Sequence, residues 1–299
     1  MSGRGKSKKV VDLIDASVHI LAEIQPASIR AVCYQLFIRK LIPDMSKNST
    51  SMVSHILARA REDGLLPWEW VVDETREAET ISSWANPDRL IQSAVSQYRK
   101  DYWELQPRRV EIWSEKGTVR GTLAPVLKKF GTTFRVMHGY GSATALHAIA
   151  RESVQNEKLL TALYVGDWDP SGMQMSEVDL PERLMRYGGC ACILRIALNH
   201  EDVAKGTKLP WFEAESKVND TRYAWFVERY GTRCWEVDAL SPVVLRERME
   251  KEIESLLDLD VWNHAIEIER VETESMQSFL KTYKSISGQA PKYSEGGAA

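Results

Sequence analysis

The sequence predicts an α/β protein that begins with a small helical domain, and two observations support this. From residue 109 onward, short apolar stretches alternate with stretches of helical period, as expected for a mostly parallel sheet with helices packed on it. Before residue 75, three amphipathic stretches follow one another and end in a stretch rich in Trp and Val. A chain of 299 residues is long enough for about two domains with separate cores.

The N-terminal pattern is typical of a winged helix-turn-helix, which we place at residues 10–75. Helices are predicted over 10–24, 28–40 and 50–64. Ser28 is the expected N-cap of the second helix, and Ser49 or Thr50 that of the third. Residues 65–73 would supply a β-hairpin, the wing of such a domain.

The third predicted helix is a candidate DNA-contacting element. Its spacing directs His55, Arg59 and Arg61 away from the apolar face, where they could contact DNA phosphates or simply face solvent. Residues 1–66 contain ten Lys and Arg against six Asp and Glu, whereas the remainder contains 29 against 36. A basic N-terminal part beside an acidic remainder fits a DNA-binding module joined to a metal-binding one, although the asymmetry alone decides nothing.

The rest of the chain divides by period and composition. Residues 76–106 are predicted to form a helical connector, 107–205 the α/β domain and 206–284 a helical extension. Strands are expected at 110–113, 133–137, 159–165 and 191–197, with helices at 119–128 and 143–152. The Gly- and Ser-rich ends, 1–9 and 285–299, are predicted to be disordered tails.

Acidic residues stand directly after two of these strands. Glu115 follows the first strand, and Asp167 and Asp169 follow a later one. In α/β sheets ligands bind beyond the carboxyl ends of the strands, and carboxylates converging there repel one another unless a cation neutralises them. Oxygen ligands favour Mg²⁺ or Mn²⁺, which commonly serve phosphate chemistry. The alternative is that the segment from Asp167 to Gly172 is only a turn, in which an aspartate caps the next helix.

These motifs resemble those of the Toprim domain. Glu115-Lys116 after one strand, then Asp167-x-Asp169-Pro170-x-Gly172 after another, is similar to the arrangement in the A subunit of topoisomerase VI and the related meiotic double-strand-break transesterase. The resemblance spans roughly residues 10–255. Further pieces that agree with it are Gly139-Tyr140, Ile196 to Asn199, Leu209-Pro210 and Trp235 to Leu240.

The resemblance implies roles for particular residues. Glu115, Asp167 and Asp169 would hold Mg²⁺ (or Mn²⁺). Lys116, the basic neighbour of the glutamate, would stabilise the phosphate together with Arg30, and Glu236 matches an acidic position whose role stays open. In this family a tyrosine at the end of an Arg-x-x-x-Tyr stretch attacks a DNA phosphate, and Arg30 to Tyr34 matches that stretch.

The helical period supports a role for this tyrosine. Tyr34 lies about 130° from the centre of the predicted apolar stripe, and Arg30 lies one turn earlier on the same flank. A guanidinium there could hold the scissile phosphate and favour the phenolate. Alternatively, Tyr34 packs at the rim of the α/β domain with its hydroxyl in water.

The expected function is therefore Mg²⁺-dependent cleavage of double-stranded DNA by tyrosine transesterification. A Toprim endonuclease that uses water and a non-catalytic winged-helix DNA-binding protein are the alternatives. The family implies a homodimer, and strand passage would need a separate ATPase partner, because no nucleotide-binding loop is present. The chain departs from the family in its short length and in Trp168, where glycine is usual.

The expected location is the cytoplasm, in association with the nucleoid. Four cysteines without a disulfide or zinc spacing indicate a reducing compartment. Neither a signal peptide nor a membrane-spanning apolar run is recognised, so no membrane partner is expected.

Overall fold

The computed structural model describes residues 8–72, 82–137, 143–155, 158–214 and 219–287. The chain forms two compact units, each made of two separate stretches of sequence. The first unit combines Met1–Thr75 with Pro107–Leu256, and the second combines Arg76–Gln106 with Leu257–Ala299.

Three helices open the first unit: α1 (Lys8–Ile24), α2 (Ile29–Ile38) and α3 (Lys47–Glu62). Ser28 is the N-cap of α2, as predicted, and its side chain accepts a hydrogen bond from Ala31 N. The predicted cap of α3 is wrong. Ser46 caps this helix, and Ser49 lies inside its first turn, where Ser49 Oγ donates to Asp44.

The predicted hairpin over residues 65–73 is not formed within its described part. Trp68–Trp70 form a 3-10 turn after Pro67, which leaves only the strand β2 (Val71–Val72). This strand pairs in parallel with β1 (Ala27–Ser28), the two residues that precede α2. Residue 73, like the rest of 73–81, lies outside the described residues.

A four-stranded parallel sheet forms the centre of the first unit, which confirms the prediction of a parallel sheet. Its strands are β3 (Arg108–Ser114), β4 (Thr133–Val136), β5 (Leu159–Val165) and β6 (Cys192–Ala197), in the order β4-β3-β5-β6. Strand β5 is buried from Leu160 to Val165, which explains its unbroken apolar run.

The helices that connect the strands are shorter and more numerous than the sequence suggested. The helix predicted over 119–128 is two short helices, α5 (Thr118–Thr122) and α6 (Ala124–Phe130), because Pro125 has no N–H to continue the first one. After α7 (Ala143–Gln155) and β5, the chain forms α8 (Pro170–Gln174), a π-helical turn and α9 (Leu180–Arg186).

The region after Pro210, predicted to be mainly helical, also contains two short strands. A short antiparallel pair joins β7 (Phe212–Glu213) to β8 (Arg233–Cys234), with α10 (Tyr223–Tyr230) between them. Two-residue strands have too few positions to show an alternating pattern in the sequence. Helix α11 (Pro242–Leu256) closes the first unit.

The second unit contains α4 (Pro87–Gln97) and the long α12 (Leu259–Ser287). Residues 98–106, predicted to be helical, form turns instead. Their aromatic side chains supply the packing: the Trp262 ring lies 4.8 Å from Tyr102 and 5.7 Å from Trp103, centroid to centroid. None of the helices within the described ranges combines the length and the apolarity needed to cross a bilayer.

The predicted disordered tails lie almost entirely outside the described residues. At their inner ends, Lys8 and Lys9 belong to α1, and residues 285–287 belong to α12.

Candidate active site

The two acidic motifs follow neighbouring strands that end in register. Strand β3 pairs with β5 along its whole length, and its last residue, Ser114, lies opposite Val165. Glu115 therefore begins one loop, and Gly166-Asp167 begins the next, at the same edge of the sheet.

Arg195 on β6 stabilises the loop from Asp167 to Gly172 through hydrogen bonds to its backbone. This guanidinium donates to the carbonyl oxygens of Gly166 (3.1 Å), Gly172 (3.0 Å) and Asp167. At Gly172 a Cβ atom would lie 2.4 Å from the Asp167 carbonyl oxygen, so the close approach requires glycine. Together the two residues fix the backbone that presents Asp167.

Asp169 also has the structural role that the turn interpretation predicted. It is the N-cap of α8, and its Oδ1 accepts a hydrogen bond from Gly172 N at 2.8 Å. The side chain still lines the cavity described below. The turn and site interpretations are therefore compatible at this residue.

A lysine lies among three carboxylates beside this loop, and we call these four residues the acidic cluster. Lys116 Nζ is 3.0 Å from Asp167 Oδ1, 2.9 Å from Asp238 Oδ2 and 3.9 Å from Glu236 Oε2. The Val237 N–H also donates to Asp167 Oδ1, at 2.8 Å. The lysine charge thus offsets part of the repulsion among the carboxylates.

Burial and neighbouring charges shift the ionisation of this cluster. Burial raises the pKa of Asp167 to about 6, against the pull of Lys116 and with a further contribution from Asp169. Burial alone would lower the pKa of Lys116, but the surrounding carboxylates outweigh it and hold that pKa above its ordinary value. For Asp238 burial is outweighed mainly by Lys116, so its pKa lies below the usual range.

The acidic cluster also anchors helix α2. Ser28 Oγ donates to Asp238 Oδ1 at 2.7 Å while accepting from Ala31 N, so one hydroxyl caps the helix and binds the cluster. Two residues later, the Arg30 guanidinium forms a two-pronged ion pair with Glu236. This side of α2 therefore faces the acidic residues.

Between α2 and the sheet edge lies a cavity of about 410 Å³, which we call the acidic cavity. Residues from distant parts of the sequence line it, among them Arg30, Tyr34, Asp167, Asp169, Trp211 and Glu236. The structure thus brings the predicted Arg-x-x-x-Tyr stretch and both aspartates of the Asp-x-Asp motif to one site.

Tyr34 is more enclosed than the helical period alone suggested. Only 4% of it is exposed, because the flank of α2 outside the helical core is covered by the α/β part of the same unit. Burial and the charge of Glu236 raise the pKa of its phenol above the ordinary value, and Arg30 only partly opposes this. Arg30 therefore acts in the predicted direction, toward the phenolate, but burial and Glu236 outweigh it in this arrangement.

Glu115 does not join the two aspartates in the lining of the acidic cavity. It is half-buried, and its charge acts on Tyr164 and Arg222. Within the described ranges, no three His, Cys, Asp or Glu side chains form a group that could hold a metal ion. Two carboxylates are nevertheless enough for Mg²⁺, because this ion is usually held by one or two carboxylates together with substrate phosphates. Asp167 and Asp169 fit such a site.

The predicted DNA-contacting residues of α3 separate into two kinds. His55 and Arg59 are exposed on the helix surface. Arg61, by contrast, is buried, and its guanidinium lies 4.8 Å from the centre of the Trp68 ring. Arg61 was predicted to point away from the core, but the turn at Trp68–Trp70 folds back over it.

Two residues of the site were not recognised in the sequence. Asp238 was noted in a matching segment with its role left open, although the Glu236-x-Asp238 spacing repeats that of Asp167 and Asp169. Arg195 is the third-last residue of an apolar strand, where a charge normally indicates a partner; that was its only signal. The predicted match at Gly139-Tyr140 lies outside the described residues.

Searches with the sequence and with the structure found no matching family model, curated protein or solved structure.

Proposed function

We propose that this chain cleaves the DNA backbone by transesterification, with Tyr34 as the nucleophile and the acidic cavity as the active site. The observation that carries the proposal is that Arg30 and Tyr34, on a helix of the N-terminal part, line the same cavity as Asp167 and Asp169. In its finer form, the proposal assigns a winged-helix domain to the N-terminal helices and a Toprim domain to the parallel sheet.

The Arg30–Glu236 pair suggests how substrate would activate the tyrosine. A DNA phosphate competes with Glu236 for the guanidinium, since arginine binds phosphate and carboxylate in the same two-pronged way. Once displaced, the Glu236 carboxylate accepts the proton from Tyr34 Oη. The phenol oxygen then forms a bond to phosphorus, the bond to one sugar oxygen breaks, and that oxygen takes a proton from solvent.

Asp167 and Asp169 are the residues that would hold Mg²⁺ in the proposed reaction. When bound, the ion supplies charge neutralisation at the phosphate. Lys116 keeps Asp167 oriented toward the cavity through its ion pair, and Arg195 holds the backbone of the same loop.

The tyrosine and both aspartates of the proposed site belong to the same chain. The resemblance implies a homodimer in which the tyrosine of one subunit serves the metal site of another. Here Tyr34 and the aspartates of the same chain line one cavity, so the cleavage step needs no second copy. A homodimer and a separate ATPase partner remain part of the proposal only for concerted cutting and strand passage.

The test is whether protein becomes covalently attached to a DNA end. Wild-type protein is incubated with labelled duplex and Mg²⁺ or Mn²⁺, denatured and separated with and without protease digestion. We expect labelled DNA to migrate with the protein until protease releases it. Tyr34→Phe keeps the ring but lacks the attacking oxygen, so it should abolish both attachment and cutting.

Tyr187→Phe is the control, because Tyr187 is a half-buried tyrosine that does not line the acidic cavity. It should retain attachment. Cutting by Tyr34→Phe that leaves unmodified ends would contradict the transesterase. It would instead support a metal-dependent endonuclease that uses water, the alternative favoured by the raised pKa of the buried Tyr34 phenol.

A further inference from the structure

A second cavity, of about 300 Å³, adjoins the acidic cavity, and we call it the aromatic cavity. Its lining includes three aromatic residues, Trp211, Tyr230 and Trp235, and two cationic residues, Lys205 and Arg233. Of the described residues, no Asp or Glu takes part in this lining. Trp211 lines both cavities, so the two sites share a wall.

The cations of the aromatic cavity are open to solvent. Arg233 and Lys205 are both exposed, and the Arg233 guanidinium lies 4.3 Å from the centre of the Trp211 ring. Trp211 itself is 43% exposed, so its ring is open to a ligand. An exposed ring next to an exposed guanidinium offers a flat stacking surface together with a phosphate-binding group.

The backbone gives this surface a fixed position. Trp211 directly precedes β7 and Arg233 begins β8, and these strands pair with each other. Trp235, which directly follows β8, forms two backbone hydrogen bonds with Trp168, the residue between the two aspartates. The aromatic cavity is therefore tied to the Asp167–Asp169 loop by main-chain contacts.

We propose that the aromatic cavity binds an unpaired nucleotide of the DNA strand next to the phosphate held in the acidic cavity. This deepens, and rests on, the proposed DNA cleavage. Trp211 stacks on the base, and Arg233 and Lys205 bind the flanking phosphates. The consequence is a substrate preference: DNA that is locally unpaired is bound better than a continuous duplex, because the cost of unstacking a base is already met.

The experiment compares the binding of two labelled DNA molecules of the same length and ends. One is a continuous duplex, and the other has three mismatched pairs at its centre. Binding is measured by fluorescence anisotropy in EDTA, so that no cleavage is needed. We expect wild-type protein to bind the mismatched DNA at least fivefold more tightly, as stacking of one base on an aromatic side chain implies.

Variants test whether the preference for mismatched DNA depends on the aromatic cavity. Trp211→Ala should remove the preference for the mismatched DNA, and Trp211→Phe should keep most of it. Arg233→Gln should weaken binding of the mismatched DNA and reduce its salt dependence. Trp84→Ala, which changes an equally exposed tryptophan of the second unit, is the control and should behave as wild type.

Two results would overturn the inference: equal affinity of the wild type for both DNA molecules, or a preference that survives in Trp211→Ala. Either result leaves the cleavage proposal intact, because covalent attachment through Tyr34 is measured separately. A preference that depends on Trp211 in a protein that never cleaves would support the aromatic cavity and refute the proposed reaction.

Discussion

The acidic and aromatic cavities share Trp211 but differ in the partners of their cationic side chains. In the acidic cavity, Arg30 is paired with Glu236, and beside it Lys116 is paired with Asp167 and Asp238. In the aromatic cavity, Arg233 lies against the face of Trp211, and no carboxylate of the described chain lines the wall.

This difference indicates two roles for cationic side chains: those paired with carboxylates stabilise the fold, and those exposed to solvent can bind a ligand. A buried cation among carboxylates stabilises the arrangement that it neutralises, and removing it leaves uncompensated buried charge. An exposed cation on an aromatic ring contributes little to stability and retains its hydrogen-bonding capacity for an anion. Predictions that contrast the two kinds of cation follow, in order of decreasing effect.

The largest effect is expected from Lys116→Met. This change leaves Asp167, Asp238 and Glu236 facing one another without the lysine, and it should lower the free energy of unfolding by about 3 kcal/mol. Denaturant unfolding at neutral pH measures it. Lys205→Met, at an exposed lysine of the aromatic cavity, is the matched control and should unfold like wild type. Equal unfolding free energies for the two variants would show that the paired lysine contributes no more to stability than the exposed one.

A smaller effect is expected from the pH dependence of Asp167. Its folded pKa of about 6 lies above the ordinary value of 3.8, so at intermediate pH the folded protein binds a proton that the unfolded chain has released. The stability contributed by this group is complete below about pH 4 and is lost as the pH rises through 6.

The measurement is the difference in unfolding free energy between Asp167→Asn and wild type in EDTA. Since Asn cannot ionise, this difference should move in favour of the variant between about pH 4 and 6 and stay level above 7. A difference that does not change with pH would show that Asp167 is not held in a destabilised charged form.

The smallest effect concerns two arginines on α3, outside both cavities. Arg59 is exposed, so Arg59→Ala should weaken duplex binding and reduce the salt slope of log K by about one. Arg61 is buried against Trp68, so Arg61→Ala should cost about 1 kcal/mol of stability with little change in that slope. Titrations at several salt concentrations, with thermal melting, separate the two. The reverse pattern would show that Arg61, rather than Arg59, reaches the DNA.

The sheet and the principal helices were predictable because the apolar residues of each element recur with one regular spacing over many positions. Strand β5 is unbroken in the sequence and in the structure, and α2 begins at the serine that its capping pattern indicated. The start of α3 was misplaced because Ser46, Ser49 and Thr50 are all chemically suitable caps, and only the fold selects among them.

The parts of the site that could not be predicted depend on long-range packing. Nothing in the periods of α2 shows that Tyr34 would be covered, because the covering residues lie far away in the sequence. For the same reason the ion pair of Arg30 with Glu236, separated by 206 residues, could not be read from local patterns. The acidic motifs themselves were visible, since each follows a strand end directly.

The paired backbones of Trp168 and Trp235 have a consequence for how this sequence could diverge. Each residue donates to the other's carbonyl, at 2.9 and 3.0 Å, so the Asp167–Asp169 loop and the segment that leads to Glu236 and Asp238 share one register. In extended chains a shift of one residue turns every side chain to the opposite face. Homologous sequences should therefore tolerate exchanges at the intervening positions far better than single-residue insertions or deletions in either segment.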